Sequence, residues 1–202
     1  MITQQIGRGA GWLLEKAVAA LAATGINPNL LTLLGLIANI WAAGLLAAGE
    51  FFTAAIVIFL AGIFDMADGR VARAQGRVTA FGAFFDSLID RYSDMVLYMG
   101  LLVWYARLAR FFYVVIVAVA MAGSFMVSYS RARAESLIPT CKVGFMERPE
   151  RVVLLIIGCL FNRMAPVLWV IAVLTTVTVI HRIIYTWQET KAGRVITAPK
   201  PP

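Results

Sequence analysis

The sequence predicts an all-α integral membrane protein: six transmembrane helices preceded by an N-terminal interfacial amphipathic helix. Of the 202 residues, 61% are hydrophobic, and the mean hydropathy of +0.82 is far above that of an average soluble domain. A helix that crosses a bilayer needs about 20 mostly apolar residues, and the chain contains several such stretches. Because the connections between them are short, we expect one membrane domain over residues 1–202.

The predicted spans follow the apolar stretches of the chain. They cover residues 29–48, 51–73, 81–105, 109–132, 149–162 and 166–187. Asn27 followed by Pro28 predicts an N-cap and a first-turn proline for the first span. The fifth span is short and indicates a helix that tilts little or lies where the bilayer is thin. We expect residues 188–202 to form a cytoplasmic tail.

Residues 3–23 have a different pattern from the spans. Apolar residues recur there at helical spacing, at Ile6, Ala10, Leu13, Ala17 and Leu21. Arg8, Glu15 and Lys16 interrupt the apolar run, which is atypical of a signal peptide. We predict an amphipathic helix that lies in the membrane interface.

The distribution of positive charge predicts the orientation. If the N-terminus is inside, most lysines and arginines fall in cytoplasmic segments, and the loops on the other face carry Arg107, Arg110 and Arg163. Cytoplasmic loops retain positive charge during insertion, so we expect a multi-pass protein of the cell inner (cytoplasmic) membrane with its active site facing the cytoplasm. This also explains the net charge of +7 without nucleic acid. The expected partners are membrane lipids and substrate phosphate.

Cysteine and histidine offer no chemical motif. Cys141 and Cys159 lack metal or redox spacing, and His181 is the one histidine. We assign all three structural roles.

Four aspartates lie inside the second and third predicted spans, where charge is expensive and usually functional. Asp65 and Asp68 share a helical face with Gly69, Ala72 and Arg73. On the next helix, Gly82, Asp86 and Asp90 share a face. Asp68 and Asp86 are equidistant from residue 77, and Asp65 and Asp90 nearly so. In an antiparallel hairpin the carboxylates therefore form two facing layers about one helical turn apart.

Such a cluster needs a compensating cation or protonation of some of its members. Oxygen ligands favour a hard cation, Mg²⁺ or Mn²⁺. One alternative is that the aspartates only form ion pairs with Arg70, Arg73, Arg77 and Arg91. Another is a divalent-cation transporter, although Arg73 beside the acids would repel a permeating cation and no second set of acids continues across the membrane.

The complete pattern reads D-x-x-D-G-x-x-A-R, eight residues, then G-x-x-x-D-x-x-x-D, and it resembles the signature of the CDP-alcohol phosphotransferases. The resemblance implies a membrane enzyme with two bound Mg²⁺ or Mn²⁺ ions. It implies Asp65, Asp68 and Asp86 as the main metal ligands, and Asp90 beside the acceptor hydroxyl as a further ligand and the catalytic base.

The same resemblance implies a site for the CDP-lipid donor. Asp68, Gly69 and Arg73 belong to it through the motif, and the segment PNLLT at the first span adds Asn29 and Thr32. The competing interpretations are helix capping for Asn29 and plain packing for Thr32.

Two basic segments point to the acceptor. SYSRARAE at 128–135 and GFMERPER at 144–151 resemble the bacterial phosphatidylinositol phosphate synthases. That branch transfers a phosphatidyl group from CDP-diacylglycerol to a hydroxyl of myo-inositol phosphate, releases CMP, and suggests a homodimer. Three cationic side chains surround the acceptor phosphate in it, and they match Arg131, either Arg148 or Arg151, and Arg182, with Arg151 preferred.

The sequence departs from that branch at Arg131, where lysine is usual. The positive charge is retained, but a planar guanidinium reaches differently from a compact ammonium. Glycerol 3-phosphate or serine are the alternative acceptors, and the arginines favour a phosphate-bearing one. The competing interpretation of each arginine is topological, because cytoplasmic loops are basic in most helical membrane proteins. Arg91 and Asp94 are predicted to form a supporting ion pair or a dimer contact.

Overall fold

The computed structural model describes residues 25–195, and all of its regular structure is α-helical. Within this range the chain forms α1 (Pro28–Ala48), α2 (Phe51–Ala74), α3 (Ala80–Arg107), α4 (Phe111–Glu135), α5 (Arg148–Leu160) and α6 (Met164–Lys191). The all-helical class is therefore confirmed. The predicted interfacial helix over 3–23 and the end of the predicted tail, residues 196–202, lie outside the described residues.

Four of these helices are long and apolar enough to cross a membrane: α1, α2, α4 and α6. The length and apolar composition of these four helices indicate a membrane protein. The third helix has 28 residues but carries the charged run from Asp86 to Asp94. With 13 residues, α5 is the shortest helix, and at about 1.5 Å per residue it is shorter than the hydrocarbon core.

Local signals in the sequence set the ends of the helices that hold the aspartates. The Asn27 side chain accepts a hydrogen bond from the N–H of Asn29 at 3.0 Å, as predicted for the N-cap of α1. Thr79 caps α3 in the same way, through the N–H of Gly82 at 2.9 Å. The turn between α2 and α3 therefore covers residues 75–79, centred on residue 77. Asp68 and Asp86 consequently lie at the same depth.

The six helices close into a ring. Their main packing partners are α1 with α2 and α3, α3 with α4, α4 with α6, α6 with α5, and α5 with α2. Buried apolar side chains such as Leu46, Ile58, Leu101, Leu168 and Ile171 fill the interior. Because α5 meets α2 and α3 near the turn that joins those two helices, residues distant in sequence can share one site.

Small residues allow the close helix contacts of this bundle. A Cβ placed on Gly100 of α3 would overlap the backbone of Ala43 on α1. We expect Gly100→Ala to lower the unfolding free energy by about 1–3 kcal/mol, since overpacking forces two backbones apart. Thermal unfolding in detergent checks this. Gly44→Ala on α1 is the control, because its Cβ would meet nothing within 4 Å; equal effects of the two changes would contradict the packing argument.

Candidate active site

Three of the four predicted aspartates form a compact cluster between α2 and α3. Carboxylate oxygens of Asp65, Asp68 and Asp86 all lie within 4.8 Å of one another. Asp68 is buried, and Asp65 and Asp86 are partly buried. Three converging carboxylates at this separation match the oxygen ligands that a hard divalent cation takes. The arrangement follows from the antiparallel hairpin, which brings the two motif halves together at one depth.

Asp68 is held in place from α1. Thr32 Oγ1 donates to Asp68 Oδ2 at 2.6 Å, and the N–H of Gly69 contacts Asp68 Oδ1 at 2.5 Å. Sequence reasoning weighed plain packing against nucleotide contact for Thr32; the structure adds a hydrogen bond from Thr32 to the carboxylate of Asp68. Since a hydroxyl donor fixes the orientation of the carboxylate that accepts from it, α1 becomes part of the site.

We expect Thr32→Val to weaken binding of a divalent cation by about 10-fold or more, because the change removes an outer-shell donor while keeping the shape of the side chain. Titration of the purified protein with Mn²⁺, followed by electron paramagnetic resonance, measures this affinity. Thr176→Val on α6 is a suitable control, because Thr176 Oγ1 donates only to its own helix at Ala172 O. Unchanged Mn²⁺ affinity in Thr32→Val would contradict the assigned role.

The aspartate cavity, of about 200 Å³, opens beside this cluster between α1, α2 and α3. Its lining includes all the residues predicted for the donor, namely Asn29, Thr32, Asp68, Gly69 and Arg73, together with Gly82 and Asp86. The alternative of helix capping for Asn29 is wrong, because Asn27 is the cap. A Cβ on Gly82 would lie 3.6 Å from Asn29 Oδ1, so glycine keeps this wall open.

The arginine cavity is larger, at about 400 Å³, and lies on the other side of the aspartates between α3, α4, α5 and α6. All four arginines predicted for the acceptor line it: Arg131, Arg148, Arg151 and Arg182. Asp90 also lines it, whereas Asp86, one turn earlier on α3, lines the aspartate cavity. The third helix therefore separates two cavities, with Asp86 facing the aspartate cavity and Asp90 and Asp94 facing the arginine cavity.

Arg148 links the two halves of the site. Its Nη1 lies 2.5 Å from Asp65 Oδ2 and 2.8 Å from Asp90 Oδ1, so one guanidinium nitrogen stands between the two carboxylates. The predicted alternative, pairing of the aspartates with arginines of their own hairpin, is wrong. Over residues 25–195, no ion pair within 4.0 Å joins them to Arg70, Arg73, Arg77 or Arg91.

Asp94 lines the arginine cavity, and sequence reasoning missed its partners. It is buried and contacts Arg151 Nη2 at 2.5 Å and Arg148 Nε at 3.4 Å. The predicted Arg91–Asp94 ion pair is wrong: Arg91 Nη1 instead donates to the carbonyl and hydroxyl of Ser87 on the preceding turn. The signal in the sequence was position, because Asp94 extends the Asp86 and Asp90 face by one more turn.

Arg131 and Arg182 meet on the opposite wall of the arginine cavity. Glu147 Oε1 accepts from Arg131 Nη1 at 2.9 Å and from Arg182 Nη2 at 3.3 Å. Arg182 is 1% exposed, and its other nitrogens donate to the carbonyls of Val143 and Val127. Buried backbone contacts therefore fix the Arg182 side chain while one nitrogen faces the cavity.

Comparison with known proteins identifies the family. The family model for CDP-alcohol phosphatidyltransferase matches residues 25–188. The chain belongs to the CDP-alcohol phosphatidyltransferase family. It is therefore a transferase of substituted phosphate groups, as the motif predicted. It is 37% identical over 176 residues to the archaetidylinositol phosphate synthase of Pyrococcus horikoshii, an alignment that covers 84% of this chain and 88% of the relative.

Solved structures of the Mycobacterium tuberculosis phosphatidylinositol phosphate synthase share the fold. The form with CDP-DAG bound superposes with a TM-score of 0.79 at 31% identity, covering 86% of this chain and 93% of that one. The form in complex with manganese and citrate gives a TM-score of 0.76, also at 31% identity, with 86% and 88% coverage. The prediction of a divalent metal cofactor is thereby supported, and the Asp65, Asp68 and Asp86 cluster of this chain fits such an ion.

Proposed function

We propose that the protein is a phosphatidylinositol phosphate synthase, which transfers the phosphatidyl group of CDP-diacylglycerol to a hydroxyl of myo-inositol phosphate and releases CMP. The observation that carries this proposal is the pair of cavities that meet at α3. The aspartate cavity reaches Asp86, the arginine cavity reaches Asp90, and these residues are one helical turn apart. A donor in one cavity and an acceptor in the other would have their reacting groups side by side.

The aspartate cavity is assigned to the CDP part of the donor. Arg73 supplies a guanidinium for a phosphate oxygen, and Asn29 offers an amide to the nucleotide. Gly69 and Gly82 leave room for the chain of phosphates, because both cavity walls lack a side chain at these points. The two structures of the Mycobacterium tuberculosis relative, one with CDP-DAG and one with manganese and citrate, support this assignment through their likeness to the whole fold.

The reaction breaks the bond between the β-phosphorus and the oxygen that joins it to CMP, and forms a bond from that phosphorus to the acceptor oxygen. Asp90 lines the arginine cavity and is assigned as the base that takes the hydroxyl proton. Asp65, Asp68, Asp86 and Asp90 would hold two divalent cations, Mg²⁺ or Mn²⁺. When bound, these ions neutralise charge on the pyrophosphate and on the leaving CMP.

The arginine cavity is assigned to the acceptor. Arg131, Arg151 and Arg182 present guanidinium groups to its phosphate, and Arg148 lies nearest the aspartates. A phosphate-bearing acceptor uses this charge, whereas serine would not. Relatives named for two different lipid products, archaetidylinositol phosphate and phosphatidylinositol phosphate, share the inositol phosphate part of the name. This shared part supports the same acceptor here.

We further propose that all six helices cross the inner membrane as a single domain, with an interfacial helix over 3–23 and both termini in the cytoplasm. The site then faces the cytoplasm, where a soluble inositol phosphate and CMP can exchange. Charged residues on α3 and the short α5 border the site rather than the lipid, which allows both helices to span. A homodimer completes this architecture. Cysteine labelling from either side of sealed vesicles tests the topology.

A radiometric assay tests the function. Purified protein with Mg²⁺ and CDP-diacylglycerol is expected to release CMP when myo-inositol phosphate is added. Glycerol 3-phosphate and serine, supplied separately at the same concentration, distinguish the other phosphatidyltransferase activities. CMP release with serine but not with inositol phosphate would overturn the acceptor assignment. Uptake of Mn²⁺ into sealed proteoliposomes tests the transporter alternative, and we expect none above protein-free vesicles.

A further inference from the structure

Glu147 contacts both Arg131 and Arg182, two of the arginines assigned to the acceptor's phosphate. Its Oε1 contacts Arg131 Nη1 at 2.9 Å and Arg182 Nη2 at 3.3 Å. Glu147 is the residue that precedes α5, and its carboxylate lies in the arginine cavity rather than over the helix end. With 41% of the side chain exposed, it has room to move, whereas Arg182 is fixed by the backbone carbonyls of Val143 and Val127.

A phosphate monoester and a carboxylate bind the same hydrogen-bond donors. Both present anionic oxygens, and both take charge-assisted hydrogen bonds from guanidinium N–H groups. Nε and Nη1 of Arg182 donate to backbone carbonyls, whereas Nη2 donates to the Glu147 side chain. On Arg131, Nη1 contacts Glu147 and Nε contacts Glu135 Oε1 at 3.2 Å. An anion that binds between Arg131 and Arg182 through these nitrogens competes with Glu147 for their N–H groups.

The charge of the arginine cavity leads to the same conclusion. Within the described part of the chain its lining carries five arginines and four carboxylates, Asp90, Asp94, Glu135 and Glu147. The formal charge is only slightly positive. A dianionic phosphate would leave a net negative charge in a partly enclosed site unless one carboxylate withdrew. All four carboxylates form ion pairs with arginines of the cavity, and Glu147 has the most exposed side chain of the four.

We propose that Glu147 is a specificity-determining residue that competes with the acceptor's phosphate for Arg131 and Arg182. This inference rests on the proposed function. Glu147 holds the two guanidinium groups at one place, and a phosphate dianion displaces it. Acceptors with a weaker anionic group, such as a carboxylate, exchange one carboxylate for another and gain nothing. The cavity thereby selects phosphate-bearing acceptors.

Glu147→Gln tests the competition, because glutamine keeps the size of the side chain and removes its charge. We expect the KM for inositol phosphate to fall about two- to fivefold, the range that a partly exposed ion pair supports, with the KM for the CDP-lipid unchanged. Inorganic phosphate, titrated calorimetrically, is expected to bind more tightly by the same factor. Glu150→Gln is the matched control, since Glu150 lies on the first turn of α5 with an exposed side chain outside the cavity lining.

The outcomes separate this inference from the proposed function. If wild-type protein releases no CMP with inositol phosphate, the proposed function fails, and the phosphate titration still decides the role of Glu147. Weaker or unchanged anion binding in Glu147→Gln overturns the inference, because Glu147 would then orient the arginines or do nothing. An equal gain in Glu150→Gln also overturns it, because the effect would then come from general charge at the helix end.

Discussion

Asp86→Asn is expected to lower the rate of CMP release by at least about 10³-fold. The change removes a carboxylate of the aspartate cluster, at the point where α3 separates the two cavities. Stabilisation of phosphoryl-transfer charge by cations contributes several kcal/mol, and each 1.4 kcal/mol is about a factor of ten in rate. The fold should survive, because asparagine keeps the volume of the side chain. The loss of Mn²⁺ binding in Asp86→Asn should accompany the loss of rate.

Glu50→Gln provides the control for this change. Glu50 precedes α2 at the opposite end from the aspartates and is exposed, so removing its charge should leave both Mn²⁺ affinity and CMP release within about twofold of wild type, as is usual for surface changes. Undiminished CMP release in Asp86→Asn would show that the aspartate cluster is not the reaction centre.

Arg182→Ala is expected to raise the KM for inositol phosphate by about 10- to 100-fold, the loss of one charge-assisted hydrogen bond of 1.5–3 kcal/mol. The KM for the CDP-lipid should change less than about twofold, because Arg182 lines the arginine cavity and not the aspartate cavity. Initial rates measured against each substrate in turn give the two KM values. Thermal unfolding, measured in parallel, reports the loss of the bonds to Val143 and Val127.

Arg133→Ala is the matched control. Arg133 lies in the last turn of the helix that carries Arg131 and is exposed, and its Nη1 contacts Ser136 Oγ at 3.2 Å rather than the arginine cavity. Its removal should leave both KM values near those of wild type. If Arg182→Ala lowers the amount of active protein while both KM values stay constant, Arg182 serves the fold alone and the acceptor assignment loses one of its cations.

The helices and the depth of the aspartates could be predicted because both depend on local pattern. Apolar runs set where α1, α2, α4 and α6 lie, and Asn27 with Pro28 set where α1 begins. The equal spacing of Asp68 and Asp86 about residue 77 placed them at one depth, since consecutive helices in a short hairpin run antiparallel. That symmetry predicted two facing layers of carboxylates, and the structure brings Asp65, Asp68 and Asp86 together.

Contacts that cross the ring could not be read from local pattern. The hairpin arginines next to the aspartates in sequence are not their partners within the described residues; Arg148, from a helix that starts more than fifty residues later, is. Asp94 likewise pairs with Arg151 rather than with the neighbouring Arg91. Charge on one helix face shows that a partner is needed, but several arginines can satisfy that need equally well.

The sequence by itself therefore determined a helical membrane protein, its family motif and a cluster of carboxylates at one depth, because hydropathy and helical periodicity act along a single chain segment. Only the tertiary structure decided that α5 closes the ring, that Thr32 orients Asp68, and that Glu147 holds Arg131 and Arg182. Those contacts depend on which helices become neighbours, and packing of the whole bundle sets that choice.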